Sequence, residues 1–215
     1  MITFANHDRD FNPMHDRNIH GTDRFMLWVD AVGGYLVCLS DEVILGQPSR
    51  EGGIQVPIMA DLSSRHARIW RDGEGYLIEP LRAVRLDNRP LRGVASLTDG
   101  VRIQLGDTVQ MLFRRPHALS ATARLDFVSS HRTQPPADAV LLMADSCVLG
   151  PNGFCHVVCP DWPQEVVLFR RDCELCCRTP GTFQIDSIRC QDRGPVKHGS
   201  RIAGEGFSLS LETLA

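Results

Sequence analysis

Apolar residues recur at every second position in several short runs. Val101-Arg-Ile-Gln-Leu105 and Phe207-Ser-Leu-Ser-Leu211 alternate strictly, and Val109-Gln-Met-Leu-Phe113 does so in part. A period of two is that of a strand buried on one face. Turn-forming residues separate the runs: Gly33-Gly34, Gly52-Gly53, Asp72-Gly73, Asn88-Arg89-Pro90, Asp99-Gly100, Gly106-Asp107 and Pro151-Asn152-Gly153. No apolar stripe at helical spacing persists for three turns. Short strands with regular turns predict an all-β chain of sandwich type.

The same fragments occur twice, in the same order. Val43-Ile44-Leu45-Gly46 resembles Cys147-Val148-Leu149-Gly150. Val84-Arg85-Leu86-Asp87 matches Phe183-Gln184-Ile185-Asp186, and Gly100-Val101-Arg102-Ile103 matches Gly199-Ser200-Arg201-Ile202, both shifted by 99 positions. Gly106-Asp107 maps to Gly204-Glu205, shifted by 98. A common order at a nearly constant offset marks an internal repeat. The expected organisation is a flexible tail over 1–24, one β-sandwich over 25–127, a linker over 128–137 containing Pro135-Pro136, and a second sandwich over 138–215.

Charge and composition narrow the function. A formal charge of −3 gives no global attraction for nucleic acid or anionic lipid, so any anion site must be local. No apolar run approaches the length of a membrane span, and no apolar leader opens the sequence, which predicts a cytoplasmic protein. His7, His15 and His20 fall in the polar tail and read as tail residues. Basic stripes with interleaved aromatics are absent, so nucleic acid is not an expected partner. Trp28, Trp70 and Trp162 are scattered and read as core or edge residues.

Seven of the eight cysteines lie in the second half, and Cys155-His156-x-x-Cys159 with Cys173-x-x-Cys176-Cys177 has the look of a zinc ligand set. The repeat points elsewhere: Cys155 to Cys159 overlays Ile54 to Ile58, and Cys176-Cys177 overlays Leu77-Ile78. Adjacent strand residues also face opposite ways. Buried thiols acting as small hydrophobes are the expectation, with no metal and no cofactor. Ser63 and His66 lack the nucleophile elbow and acid partner of a serine hydrolase, and no phosphate-cradling glycine loop occurs, so no enzyme is expected.

The remaining feature is Asp61-Leu62-Ser63-Ser64-Arg65-His66-Ala67-Arg68-Ile69, downstream of Leu45-Gly46. A Ser-x-x-His-Ala-x-Ile run in this setting resembles the recognition loop of forkhead-associated (FHA) domains, which bind phosphothreonine peptides. The likeness covers about 90 residues of the first unit. It implies a phosphopeptide site formed by Ser63, Ser64 and Arg65, with Gly46 and His66 shaping the loops. The family's arginine after the glycine is Gln47 here, and its Asn-Gly pair aligns with Arg82-Ala83. Arg82 lies in the loop expected to face Ser63, with Arg50 and Arg65 as further candidates to approach it, so a relocated guanidinium is expected to supply the missing contact. In the second unit the loop reads Trp162-Pro163-Gln164-Glu165. Proline lacks the amide donor and glutamate repels a phosphate, so that copy is expected to be degenerate. Two functions follow from the sequence: a non-enzymatic module binding a phosphorylated protein, or a phosphate-independent scaffold of two decayed repeats.

Overall fold

The alternating runs become strands in the computed structural model, which describes residues 24–214 apart from positions 51, 74, 118, 172 and 173. Cys173 and the histidine-bearing tail lie outside the described residues. In chain order the first half supplies β1 (Arg24–Val29), β2 (Gly33–Cys38), β3 (Glu42–Gly46), β4 (Val56–Pro57), β5 (Ala67–Asp72), β6 (Gly75–Pro80), β7 (Val84–Leu86), β8 (Arg89–Pro90), β9 (Ala95–Leu97), β10 (Arg102–Leu105), β11 (Val109–Arg114) and β12 (Ala123–Phe127). The second supplies β13 (Ala139–Leu142), β14 (Ser146–Gly150), β15 (Val157–Val158), β16 (Val166–Arg171), β17 (Glu174–Ile185), β18 (Ile188–Val196), β19 (Arg201–Gly204) and β20 (Phe207–Thr213). No helix occurs among the described residues.

The strands form a five-stranded sheet, ordered β4-β3-β5-β6-β9, and one continuous sheet. The latter runs β15-β14-β16-β17-β19-β20-β1-β2-β13-β12-β11-β10-β7-β8, with β18 paired to β17. Its middle crosses the boundary expected at 128–137. There β1 pairs with β20 (Leu27 opposite Leu211), while β13 lies between β2 and β12 (Val140 opposite Leu36 and Leu125). The first hairpin therefore extends the second half's sheet, and the second half's first strand closes the first half's.

Side-chain alternation explains why this seam holds. Met26, Leu36, Cys38, Val140 and Leu142 point into one core with Leu45, Ile69, Ile103 and Phe113. Their neighbours Phe25, Leu27, Tyr35, Val37 and Leu141 point into a second core with Leu168, Phe183 and Leu209. Strands buried on both faces read as unbroken apolar runs, as Tyr35-Leu-Val-Cys38 and Ala139-Val-Leu-Leu142 do. Residues 128–137 are a fixed strap and not a loose linker. Met59 N donates to Arg132 O at 2.9 Å, Gln134 N donates to Pro57 O at 2.9 Å, and Thr133 is buried. Gly33-Gly34, expected as a turn, instead begins β2 opposite Val29 and Trp28. The turn is Asp30–Val32, and the Trp28 ring covers Gly34 so closely that a Cβ there would lie 2.8 Å from Cε3.

The two halves repeat fine detail. Short parallel strands follow each glycine: Gly46 lies opposite Pro57, and Gly150 opposite Val158. Gly46 O accepts from Ile58 N at 2.7 Å, and Gly150 O from Cys159 N at 2.8 Å. Asp87-Asn88 and Asp186-Ser187 make matching turns with φ above zero. In these, Asp87 Oδ1 accepts from Arg102 N at 3.0 Å and Asp186 Oδ1 from Arg201 N at 2.9 Å. The halves differ where β6 and β7 are separated by Leu81-Arg82-Ala83. In the second half the equivalent residues form the single strand β17, irregular between Arg178 and Thr182.

His156 lies fully buried at the seam, its Nδ1 accepting from Val148 N at 2.9 Å. Its carbonyl accepts from Arg124 Nη1 at 2.9 Å, and its ring stacks on His117 with centroids 5.7 Å apart. Nδ1 is already an acceptor, so protonating it breaks the Val148 bond. Burial, then the neighbouring His117, lower its pKa from 6.5 to about 4. The unfolded chain therefore takes up this proton first, and stability present above pH 6.5 is lost as the pH falls towards 4. A loss of about 2 kcal/mol from this group between pH 7 and pH 5 is expected in denaturant titrations. His156→Asn keeps an acceptor for Val148 but removes the titration, and its stability should fall less over that interval. An equal fall in both proteins would rule this assignment out.

Candidate functional site

Four loops meet where β3, β5, β7 and β10 reach one end of the first half. Gly46 closes β3 against the backbone of the next loop: an added Cβ would overlap the Ser64 carbonyl and lie 2.6 Å from Ser63 O. Only a residue without a side chain fits there. Gln47 N then donates to Ser63 O at 3.1 Å, so Gln47 stands beside Ser63.

His66 is 5% exposed and joins two loops. Its Nδ1 lies 3.4 Å from Ser63 N, and Nε2 lies 2.9 Å from Ala83 O. An amide facing Nδ1 and a carbonyl facing Nε2 define the neutral tautomer with its proton on Nε2. The His66 backbone extends this bracing: its N donates to Leu45 O at 2.9 Å, and its O accepts from Leu81 N at 3.1 Å and Arg82 N at 2.9 Å. Gly106, at φ +57°, closes the arrangement by donating from N to Ala83 O at 2.9 Å. A Cβ on it would sit 3.3 Å from Leu62 Cδ2 and 3.7 Å from His66 Cε1.

Ser63 is half-buried on this frame, and Ser64, Arg65 and Arg82 are exposed. The amides of Ser64 and Arg65 have no intramolecular acceptor among the described residues. Arg82 Nη1 donates to Leu81 O at 2.7 Å, while Arg65 has no ion-pair partner among the described residues. The free amides of Ser64 and Arg65 and the hydroxyls of Ser63 and Ser64 stand on one loop, and the Arg82 backbone is held beside it through the His66 carbonyl. These contacts bring the loops bearing Gly46, Ser63 to His66, and Arg82 next to one another. Arg50 lies elsewhere, lining a depression with Arg24, Gln134 and Leu214. Sequence reasoning missed the Ala83 carbonyl as the acceptor for His66, since a main-chain oxygen leaves no mark in the residue types. It also missed Gly106 as the roof over His66, reading it only as a turn.

The second half's corresponding loop consumes its own polar groups. Trp162 is buried against Phe207, with ring centroids 5.4 Å apart. Gln164 Nε2 donates to Thr179 Oγ1 and Pro180 O, both at 3.0 Å, and Glu165 Oε1 accepts from Asn152 Nδ2 at 3.1 Å. Glu165 stands at the sequence position that corresponds to His66, but it is exposed where the imidazole is buried. The thiols nearby are core residues: burial pushes Cys147, Cys159 and Cys177 up to about 12, and Cys155 upward as well. Cys177 is buried while its neighbour Cys176 is partly exposed, as alternation requires. Among the described residues no three His, Cys, Asp or Glu side chains are grouped as metal ligands would be.

No protein-family model and no curated protein matches the chain. Similar solved structures include Mycobacterium tuberculosis EmbR in complex with a low-affinity phosphopeptide. It is 25% identical at a TM-score of 0.32, covering 42% of this chain and 24% of that one. The FhaA FHA domain is 27% identical at a TM-score of 0.28, covering 38% of this chain and 91% of that one. The FHA domain of the CT664 protein from Chlamydia trachomatis is 24% identical at 0.30, covering 39% and 89%.

Proposed function

We propose that the first half is a phosphothreonine-peptide-binding module of FHA type, acting as a non-enzymatic protein-interaction unit in the cytoplasm without metal or cofactor. Ser63, Ser64, Arg65 and Arg82 contact the phosphopeptide, and Gly46 and His66 hold their loops in place. The observation that carries this reading is the bracing by His66, which ties the serine loop to the Arg82-Ala83 loop through Ser63 N and Ala83 O. Rigid exposed donors lose little entropy on capturing an anion. The second half is a degenerate copy of the same unit, supported by the matching turns of Asp87 and Asp186 and the matching glycines Gly46 and Gly150.

Gln47 favours the second reading, a phosphate-independent scaffold, because its neutral amide replaces a charge-assisted fork beside Ser63. Matched peptides separate the two. A phosphothreonine library should bind at least about tenfold tighter than its unphosphorylated twin. Ser63→Ala and Arg82→Ala should each weaken phosphopeptide binding by about tenfold and leave the melting temperature unchanged. Equal affinity for both libraries would leave the scaffold.

A further inference from the structure

The shared sheet places both halves' loop ends along the same edge. Val29 opposite Gly33, Leu105 opposite Val109 and Gly204 opposite Phe207 all lie at one end of it. The first half's site sits above the Gly106 turn, where Leu62 packs. The equivalent second-half loop sits above Gly206, where Pro163 packs at 3.0 Å from its would-be Cβ. Six inter-strand steps separate these two turns along the sheet. At ~4.8 Å per step the path between them along the sheet edge is ~29 Å, the reach of about nine extended residues following that edge.

The second loop end differs in chemistry from the first. A groove of about 530 Å³ runs between Pro163 and Pro180, with Pro151 and Val167 also in its lining. On the other side of the same loop, a depression of about 380 Å³ is bordered by Trp162 and Phe207. Asp30, Asp161, Glu165 and Asp192 line the two and exposed Glu205 adjoins Gly206, against Arg178 and against Arg201, which lies 3.9 Å from Asp30. Apolar floors under acidic rims suit side chains with aliphatic stems and positive ends.

We propose that this surface takes a lysine- or arginine-rich stretch of the same phosphorylated partner, about nine residues from its phosphothreonine. The inference rests on the phosphothreonine reading of the first half. It makes the degenerate copy a specificity arm, adding a linked contact to the phosphate contact.

Fluorescence anisotropy at low ionic strength tests it with phosphothreonine peptides carrying a four-lysine block three or nine residues away, on either side, or no block. The nine-residue spacing should raise affinity by about tenfold, and the three-residue spacing should not. Asp161→Lys with Glu205→Lys should remove that gain and leave affinity for the block-free phosphopeptide unchanged. Asp161→Asn with Glu205→Gln, a milder pair, should reduce it in a protein that melts like the parent. Block-free phosphopeptide that binds while the block adds nothing, or a gain that persists in both variants, overturns this inference alone. An equal gain at three residues overturns it too, because the cations then act near the first site. Failure of every phosphopeptide to bind overturns the phosphothreonine reading and this inference together.

Discussion

Replacing Gly46 with alanine is expected to destabilise the protein by about 3 kcal/mol or more and to abolish phosphopeptide binding. The methyl group would meet the backbone of Ser63 and Ser64, not the movable end of a side chain. Relief requires shifting the whole serine loop, which breaks the contacts from Gln47 N to Ser63 O and from His66 N to Leu45 O. Gly153 is the matched control, since a Cβ there meets nothing within 4 Å. Gly153→Ala should change stability by less than about 1 kcal/mol. Denaturant titration reads both variants, and equal stabilities would contradict the close approach at Gly46.

Cutting the chain after residue 127 is expected to leave a fragment that does not fold cooperatively. Residues 24–127 would expose Phe25, Leu27, Val29, Tyr35 and Val37, which fill the second core. At about 1.5–3 kcal/mol for each, the lost burial is on the order of 10 kcal/mol, as large as the whole stability of a typical domain. The outer edges of β2 and β12 would also lose β13, leaving unpaired backbone that invites aggregation. Dispersed amide resonances and a sharp unfolding transition in the fragment would contradict the shared sheet.

The sequence displayed most of the strand content, because half-buried strands such as β10, β11 and β20 carry the two-residue period openly. The seam was hidden for the same reason: β2 and β13 are buried on both faces, and no alternation survives to tell which core each residue serves. Pro135-Pro136 suggested a loose linker, whereas Thr133 and Gln134 tie that segment to Ile58 and Pro57. At the site, Ser63, Ser64, Arg65 and His66 were legible as a contiguous run. Arg82 was reached only by aligning a distant loop. The parts supplied by main-chain atoms, the Ala83 carbonyl and the His66 carbonyl, depend on long-range pairing that residue types do not encode.

Amide chemical-shift mapping of the full chain with a phosphothreonine peptide and its threonine twin tests the central claim most directly. The phosphorylated peptide should shift Ser63, Ser64, Arg65, Arg82 and Ala83 together, while the unphosphorylated twin leaves them in place. Identical responses to the two peptides, or shifts that avoid these five residues, would contradict it.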